Sequence, residues 1–207
     1  MTKIVLTRHG HVDGIDPPRF RGRMDLPLTE LGKKQAKALA ARIAQTWKPI
    51  IVYASPLSRC VDTGTAVAQA CGIALETVPD LIDLDYGAWQ WRTYEDVAAS
   101  EPAAFAAWMA TPHLPRFPSG ESLQDIVARS ANALRMALAR HPLDTDCVVM
   151  VGHDTINRAL LLQLADQPLS AYWRLKQGPC CLNEIEIASG RISLHAINET
   201  HHLHGLT

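Results

Sequence analysis

The stretch KIVLTRHG, residues 3–10, decides how the rest of the chain is read. Lys3 to Thr7 form a short, mostly apolar run that suits a buried strand. The run stops on Arg8, His9 and Gly10. A cation and an imidazole at the end of a buried strand are costly to desolvate unless a partner or a ligand meets them. Working outward, the arrangement recurs twice. IIVYA at 50–54 leads into Ser55, Pro56, Leu57, Ser58 and Arg59, and DCVVMV at 146–151 leads into Gly152, His153 and Asp154.

Between these runs the spacing is helical. Thr29 stands as a cap before ELGKKQAKALAARIAQ, where Leu31, Gln35, Leu39 and Ile43 share one side. A second helix is expected from Pro56 to Gly72. ALETV at 74–78 is a weaker strand, 79–92 an irregular loop, and 93–110 helical with a break at Pro102. After a loop at 112–121, Ser122 and Asp125 have capping-box spacing at the head of an amphipathic helix. Leu123, Ile126, Val127, Ala131, Leu134 and Leu138 are expected on its buried face. Another helix follows His153, a short one is expected within 169–177, and LNEIEIA and RISLHAI make a closing strand pair around Ser189 and Gly190. Strands alternating with helices imply an α/β fold, a three-layer α/β/α sandwich around a mostly parallel central sheet, in one domain over 1–207.

Bulk properties narrow the function. The 207 residues carry a formal charge of −1, with 47 % hydrophobic and 20 % charged residues. That balance gives no global attraction to nucleic acid or to a membrane surface. No apolar stretch is long enough to span a bilayer. The start of the chain, with Arg8 and His9 so soon after a short apolar run, does not read as a secretory signal. The 5 cysteines (Cys60, Cys71, Cys147, Cys180 and Cys181) are odd in number and lack C-x-x-C spacing. This argues against a disulfide framework or a zinc site and for a cytoplasmic location.

In open α/β sheets, ligands bind beyond the carboxyl ends of the strands. If the three runs are neighbours, Arg8, His9, Arg59 and His153 meet at one spot. Each alone has a plain structural reading, a hydrogen-bonded strand-end histidine or an ion-paired arginine. Two histidines and two arginines together, in a chain with 9 His, point to an anion. Guanidinium forks suit phosphate oxygens, and helix starts add free N–H groups.

Five blocks, RHG, FRGRMDLPLTELGKKQA, SPLSRCVDT, FPSGESL and VVMVGHD, resemble in this order the histidine phosphatase superfamily, the phosphoglycerate mutase-like proteins. The similarity runs on to INETHHL, nearly the whole chain. The length and the PHLPRFPSGES stretch are similar to the small-phosphatase branch of α-ribazole phosphatases and metal-independent phosphoserine phosphatases. The resemblance implies a phosphoglycerate mutase-like fold and a phosphohistidine intermediate on His9. It gives His153 the role of second catalytic histidine and makes Arg8 and Arg59 the phosphate clamp, with no metal and no cofactor. It also implies a general acid four residues before Gly87 in LIDLDYGAWQW. The family usually carries Glu there; this chain has Asp83, with Asp85 competing at a different spacing. An aspartate acid must have its pKa raised by its surroundings. Arg21 and Gly22, in the basic run Arg19, Arg21 and Arg23, stand where the family's loop approaches substrate. His11 and Ile15 replace the usual Glu and Asn.

Tyr86, Trp89, Trp91, His113 and Phe117 either wall a pocket shaped by loops 11–27, 79–92 and 111–121, or simply pack those loops. His201, His202 and His204 are too few and too close together to form a metal site alone. The expected activity is a metal-independent phosphomonoesterase acting on a small phosphorylated metabolite, without nucleic-acid or membrane partners, with a homodimer left open. The alternatives are a phosphoglycerate mutase and a phospho-ligand-binding relative without turnover. The short interval between Trp91 and Ser122 favours hydrolysis.

Overall fold

Strand β1 (Thr2–Arg8) lies inside a six-stranded mixed sheet of the computed structural model, which describes residues 2–142 and 146–206. Its neighbour on one side is β4 (Cys147–Gly152), paired in parallel. Beyond β4 follow β2 (Ile51–Ala54) and the edge strand β3 (Ala74–Thr77), also parallel. On the other side β5 (Leu182–Ala188) and β6 (Arg191–Glu199) run antiparallel. The order β3-β2-β4-β1-β5-β6 makes neighbours of the three strands whose carboxyl ends carry Arg8, Arg59 and His153.

Alternation along the strands builds two cores. Ile4, Leu6, Tyr53, Val148 and Met150 face one layer, formed by α5 (Leu123–Arg140) and α6 (Asp154–Leu164). Val5, Val52, Val149 and Val151 face the other, formed by α1 (Glu30–Thr46) and α2 (Ser58–Cys71). This is the expected three-layer α/β/α sandwich. β1 and β4 are apolar on both faces because both are covered. A further pair of helices, α3 (Tyr94–Ser100) and α4 (Pro102–Ala110), is split where Pro102 starts the second.

Several boundaries follow the local chemistry. The Thr29 hydroxyl accepts from the Gly32 amide at 3.1 Å and caps α1. Gly72 ends α2 with φ of 67°, the left-handed conformation that glycine adopts without strain. The helix after Pro56 begins only at Ser58, whose amide is capped from a distance by Asp25 at 2.8 Å. The segment within 169–177 is a 3₁₀ helix, Leu169–Arg174.

The buried face of α5 differs from its sequence pattern. The fully buried positions are Leu123, Ile126, Ser130, Ala133 and Ala137, with Val127, Ala131, Leu134 and Leu138 flanking them. Beyond Leu123 and Ile126, the small residues Ser130, Ala133 and Ala137 continue the contact line because they let the helix approach its neighbours closely. Periodicity alone favoured the larger side chains. Glycines serve the same end at α1: a Cβ on Gly32 would sit 2.1 Å from the His11 carbonyl oxygen. The loop after His9 is therefore pressed onto the helix.

Candidate active site

Parallel pairing aligns the three strand ends. Arg8 is opposite Gly152 and Ala54 opposite Val151. The His9 amide continues the ladder to the Gly152 carbonyl at 3.1 Å, and the Ser55 amide to Val151 at 3.0 Å. From this edge Arg8, His9, Arg59 and His153 are all buried.

The two ring nitrogens of His9 are distinguished by their neighbours. Nδ1 lies 2.7 Å from the Gly10 carbonyl. A carbonyl only accepts, so Nδ1 carries the proton. Nε2 then holds a lone pair, toward which the Arg59 Nε–H points at 3.2 Å. His9 is held well below the usual histidine range, first by burial, then by the charges of Arg59, Arg8 and His153. Like-charge repulsion was foreseeable from the sequence; the larger contribution of burial was not. A neutral imidazole with its Nε2 lone pair free of a proton is a nucleophile.

Arg59 is fully buried in the first turn of α2. Its Nη1 donates to Met24 O at 2.6 Å and its Nη2 to Gly22 O at 2.7 Å. The same Nη2 lies 3.4 Å from Asp83 Oδ2. Gly22 adopts φ of +45°, and a Cβ there would meet the Leu84 carbonyl at 2.7 Å. Only glycine lets this loop pass so close to the Asp83 segment. Arg8 donates from Nη1 to Gln177 O at 2.6 Å, while its Nε has no partner among the described residues.

His153 stacks edge-on to His9 with ring centroids 5.2 Å apart. Its Nε2 is 2.8 Å from the Ser55 hydroxyl and its Nδ1 3.6 Å from Asp83 Oδ2. Burial and the surrounding arginines push it well below the usual range. Asp83 sits over both groups. Burial raises its pKa, opposed by Arg59, the Leu84 amide and Arg21. A carboxyl group that keeps its proton more readily, beside a nucleophile, is suited to acid–base work. Asp85 is committed elsewhere: it accepts from the Gly87 amide at 2.9 Å and from Arg23 at 3.3 Å.

The pocket above these groups is lined by Arg8, His9, Arg19, Arg21, Gly22 and Asp83, together with Tyr86, Tyr94, Asp154 and Thr155. Arg8, His9, Arg21, Gly22 and Asp83 meet here as the sequence suggested, with Arg59 and His153 in contact with His9 and Asp83. Of the three loop arginines, Arg21 faces the pocket and anchors itself on the Gly14 carbonyl. Arg19 also reaches the pocket's edge but packs over Trp91 with 4.9 Å to the ring centroid, and Arg23 turns away to Glu121 at 2.9 Å. Trp89 and Phe117 belong to an aromatic core with Phe20 and Trp108; of the candidate aromatic wall only Tyr86 reaches the pocket. Loop 111–121 supports the Asp83 segment instead of lining the cleft. Ile15 packs into the core beside α1, and the His11 side chain bonds the Thr29 cap at 2.9 Å.

Sequence reasoning missed Tyr94, Thr155 and Asp154. Asp154 had a visible signal, since it directly follows a strand-end histidine. Its Oδ1 is paired with Arg158 at 2.7 Å. Tyr94 stacks on Phe20 with centroids 4.4 Å apart, a contact no local pattern announces.

Comparison with known proteins follows the same lines. The family model described as histidine phosphatase superfamily (branch 1) matches residues 4–200. Phosphoserine phosphatase 1 of Hydrogenobacter thermophilus is 32 % identical over 203 residues, 98 % of this chain and 95 % of the relative. The metal-independent phosphoserine phosphatase of Arabidopsis thaliana is 32 % identical over 166 residues, 79 % of this chain and 69 % of the relative. Among solved structures, Bacillus stearothermophilus YhfR superposes with a TM-score of 0.91 at 25 % identity, covering 98 % of this chain and 100 % of that one.

Proposed function

Because the chain belongs to the histidine phosphatase superfamily and is a phosphatase of that type, we propose that it hydrolyses a small phosphomonoester through a phosphohistidine on His9, without a metal ion. The observation that carries this is the neutral, buried His9 with its Nε2 lone pair beside Arg59 and under a pocket lined by Arg8 and Arg21. Phosphate oxygens bind Arg8, Arg59 and Arg21. The fixed cations neutralise charge on the phosphoryl group as it transfers.

His9 Nε2 attacks phosphorus, and the ester P–O bond breaks. Asp83 delivers its proton to the departing oxygen, so the product is a neutral alcohol. The Asp83 carboxylate then takes a proton from water. The resulting hydroxide-like oxygen attacks phosphorus, the P–N bond breaks, and orthophosphate leaves. His153 holds the transferring group, and burial together with Arg59 and Arg8 keeps His9 unprotonated. Asp83 is one methylene shorter than glutamate, and its closeness to Arg59 and His153 supports the acid role despite the shorter reach.

The names of the two curated relatives make phosphoserine the first substrate to try. Five cysteines without a disulfide accord with a reducing, cytoplasmic setting. The test is phosphate release from p-nitrophenyl phosphate, phosphoserine, α-ribazole phosphate and the phosphoglycerates, in EDTA, wild type beside His9→Ala. The expected result is turnover that survives EDTA and is lost in His9→Ala, by at least about a thousandfold. Rapid interconversion of phosphoglycerates with little phosphate release would replace hydrolysis with mutase activity.

A further inference from the structure

The Asp83 segment has little regular structure of its own. Between β3 and α3 the chain makes only two short 3₁₀ turns, Pro79–Leu81 and Gly87–Trp89. Its backbone is held instead by one side chain from the neighbouring helix α5. Arg129, on α5 and largely buried, donates from Nη1 to the carbonyls of Asp80, at 3.0 Å, and Ile82. Its Nη2 donates to the Asp83 carbonyl at 2.9 Å. The other edge of the guanidinium grips Glu121, Nε to Oε1 at 3.1 Å and Nη2 to Oε2 at 2.9 Å. Glu121 in turn accepts from Arg23 at 2.9 Å and from the Asp85 amide at 3.0 Å. One planar fork thus fixes the carbonyls of Asp80, Ile82 and Asp83, and its counter-ion fixes the amide of Asp85.

A proton donor must stand within hydrogen-bond reach of the leaving oxygen, and small displacements cost rate steeply. Aspartate has fewer side-chain torsions than glutamate with which to make up a misplaced backbone. A short acid therefore requires a firmly held main chain. We propose that Arg129, locked by Glu121, is the positioning residue for the Asp83 carboxyl: it sets the distance between that acid and the leaving oxygen without touching substrate. This rests on the reading of Asp83 as the leaving-group acid. Lysine cannot replace it, because an ammonium lacks the planar fork that spans the loop and the carboxylate together.

The experiment compares kcat/KM for two kinds of ester. Alkyl phosphates such as phosphoserine need their leaving oxygen protonated; p-nitrophenyl phosphate, with a stable phenolate, needs it far less. Arg129→Gln is expected to lower kcat/KM for the alkyl ester by about tenfold or more while the aryl ester loses less than about threefold. Arg129→Lys should behave like Arg129→Gln. Adding Arg129→Gln to Asp83→Asn should cost nothing further on the alkyl ester, since the acid is already gone. Equal losses on both esters, full rescue by lysine, or additive losses in the double variant would each overturn the proposal. If Asp83→Asn itself shows no preference between the two esters, the acid assignment fails first and the positioning role with it. Thermal melts accompany each variant. Should Arg129→Gln fail to fold, Glu121→Gln preserves side-chain volume and is read by the same ester comparison, with selective loss on the alkyl ester expected and equal loss overturning the proposal.

Discussion

The Gly10 carbonyl and the Arg59 Nε–H fix the tautomer of His9, and burial fixes its charge. Two consequences can be measured. Because His9 is held below its ordinary value of 6.5, the acid limb of kcat/KM should fall below that pH, read with p-nitrophenyl phosphate. Stability has its own sign. His9 and His153 both stay neutral in the folded chain at a pH where the unfolded chain binds protons. Their contribution is flat above about pH 6.5 and is lost as pH drops below it. A His9→Gln, His153→Gln double variant should therefore show a shallower fall in melting temperature between about pH 6.5 and about pH 5. At this scale Arg8, His9, Arg59 and His153 were legible because each follows a run too apolar to carry them idly. Asp83 was legible only through family spacing. Choosing Arg21 over Arg19 or Arg23 requires the turn of the loop, which no periodicity encodes.

Elements were easiest to read where their ends carry local chemistry. The capping box of α5 is present in both directions: the Ser122 hydroxyl accepts from the Asp125 amide at 3.4 Å, and the Asp125 carboxylate accepts from the Ser122 amide at 2.8 Å. Ser122→Ala should cost about 1 kcal/mol, measured by denaturant unfolding. The interlock between loops was not legible. A Cβ on Gly120 would lie 2.4 Å from the Asp85 carbonyl oxygen, and one on Gly87 2.0 Å from that of Pro118. Gly120→Ala should destabilise by about 1–3 kcal/mol and disturb the Asp83 segment as well. Such contacts join segments through backbone atoms, which leave no trace in residue type beyond the glycine itself. The α5 face was read in part: Leu123 and Ile126 are buried and Val127, Leu134 and Leu138 pack against the core, but hydrophobic size did not mark Ser130, Ala133 and Ala137, the small residues that complete the contact line.

At the scale of the molecule, a chain with a formal charge of −1 gathers Arg8, Arg19, Arg21 and Arg59 at one cleft. Inorganic phosphate should bind there and stabilise the fold. At a hundredfold excess over its dissociation constant the gain is about 2.7 kcal/mol, visible as a rise in melting temperature that sodium chloride does not reproduce. Layer order and sheet type were legible from the alternation of elements, whereas strand order was open until the pairing was seen. That pairing has a consequence for how the protein is made. The strand leading to His9 is translated well before the strands it pairs with: Lys3 waits for Cys147 and Glu186. The Asn183 amide reaches the Leu6 carbonyl across 177 positions, and the Cys180 amide closes on the carbonyls of Arg8 and His9. Domains assemble as the chain emerges from the ribosome, N-terminal parts first. Here β1 is completed only by strands that follow it by more than about a hundred residues, so the proposed phosphohistidine site cannot assemble until β5 has emerged.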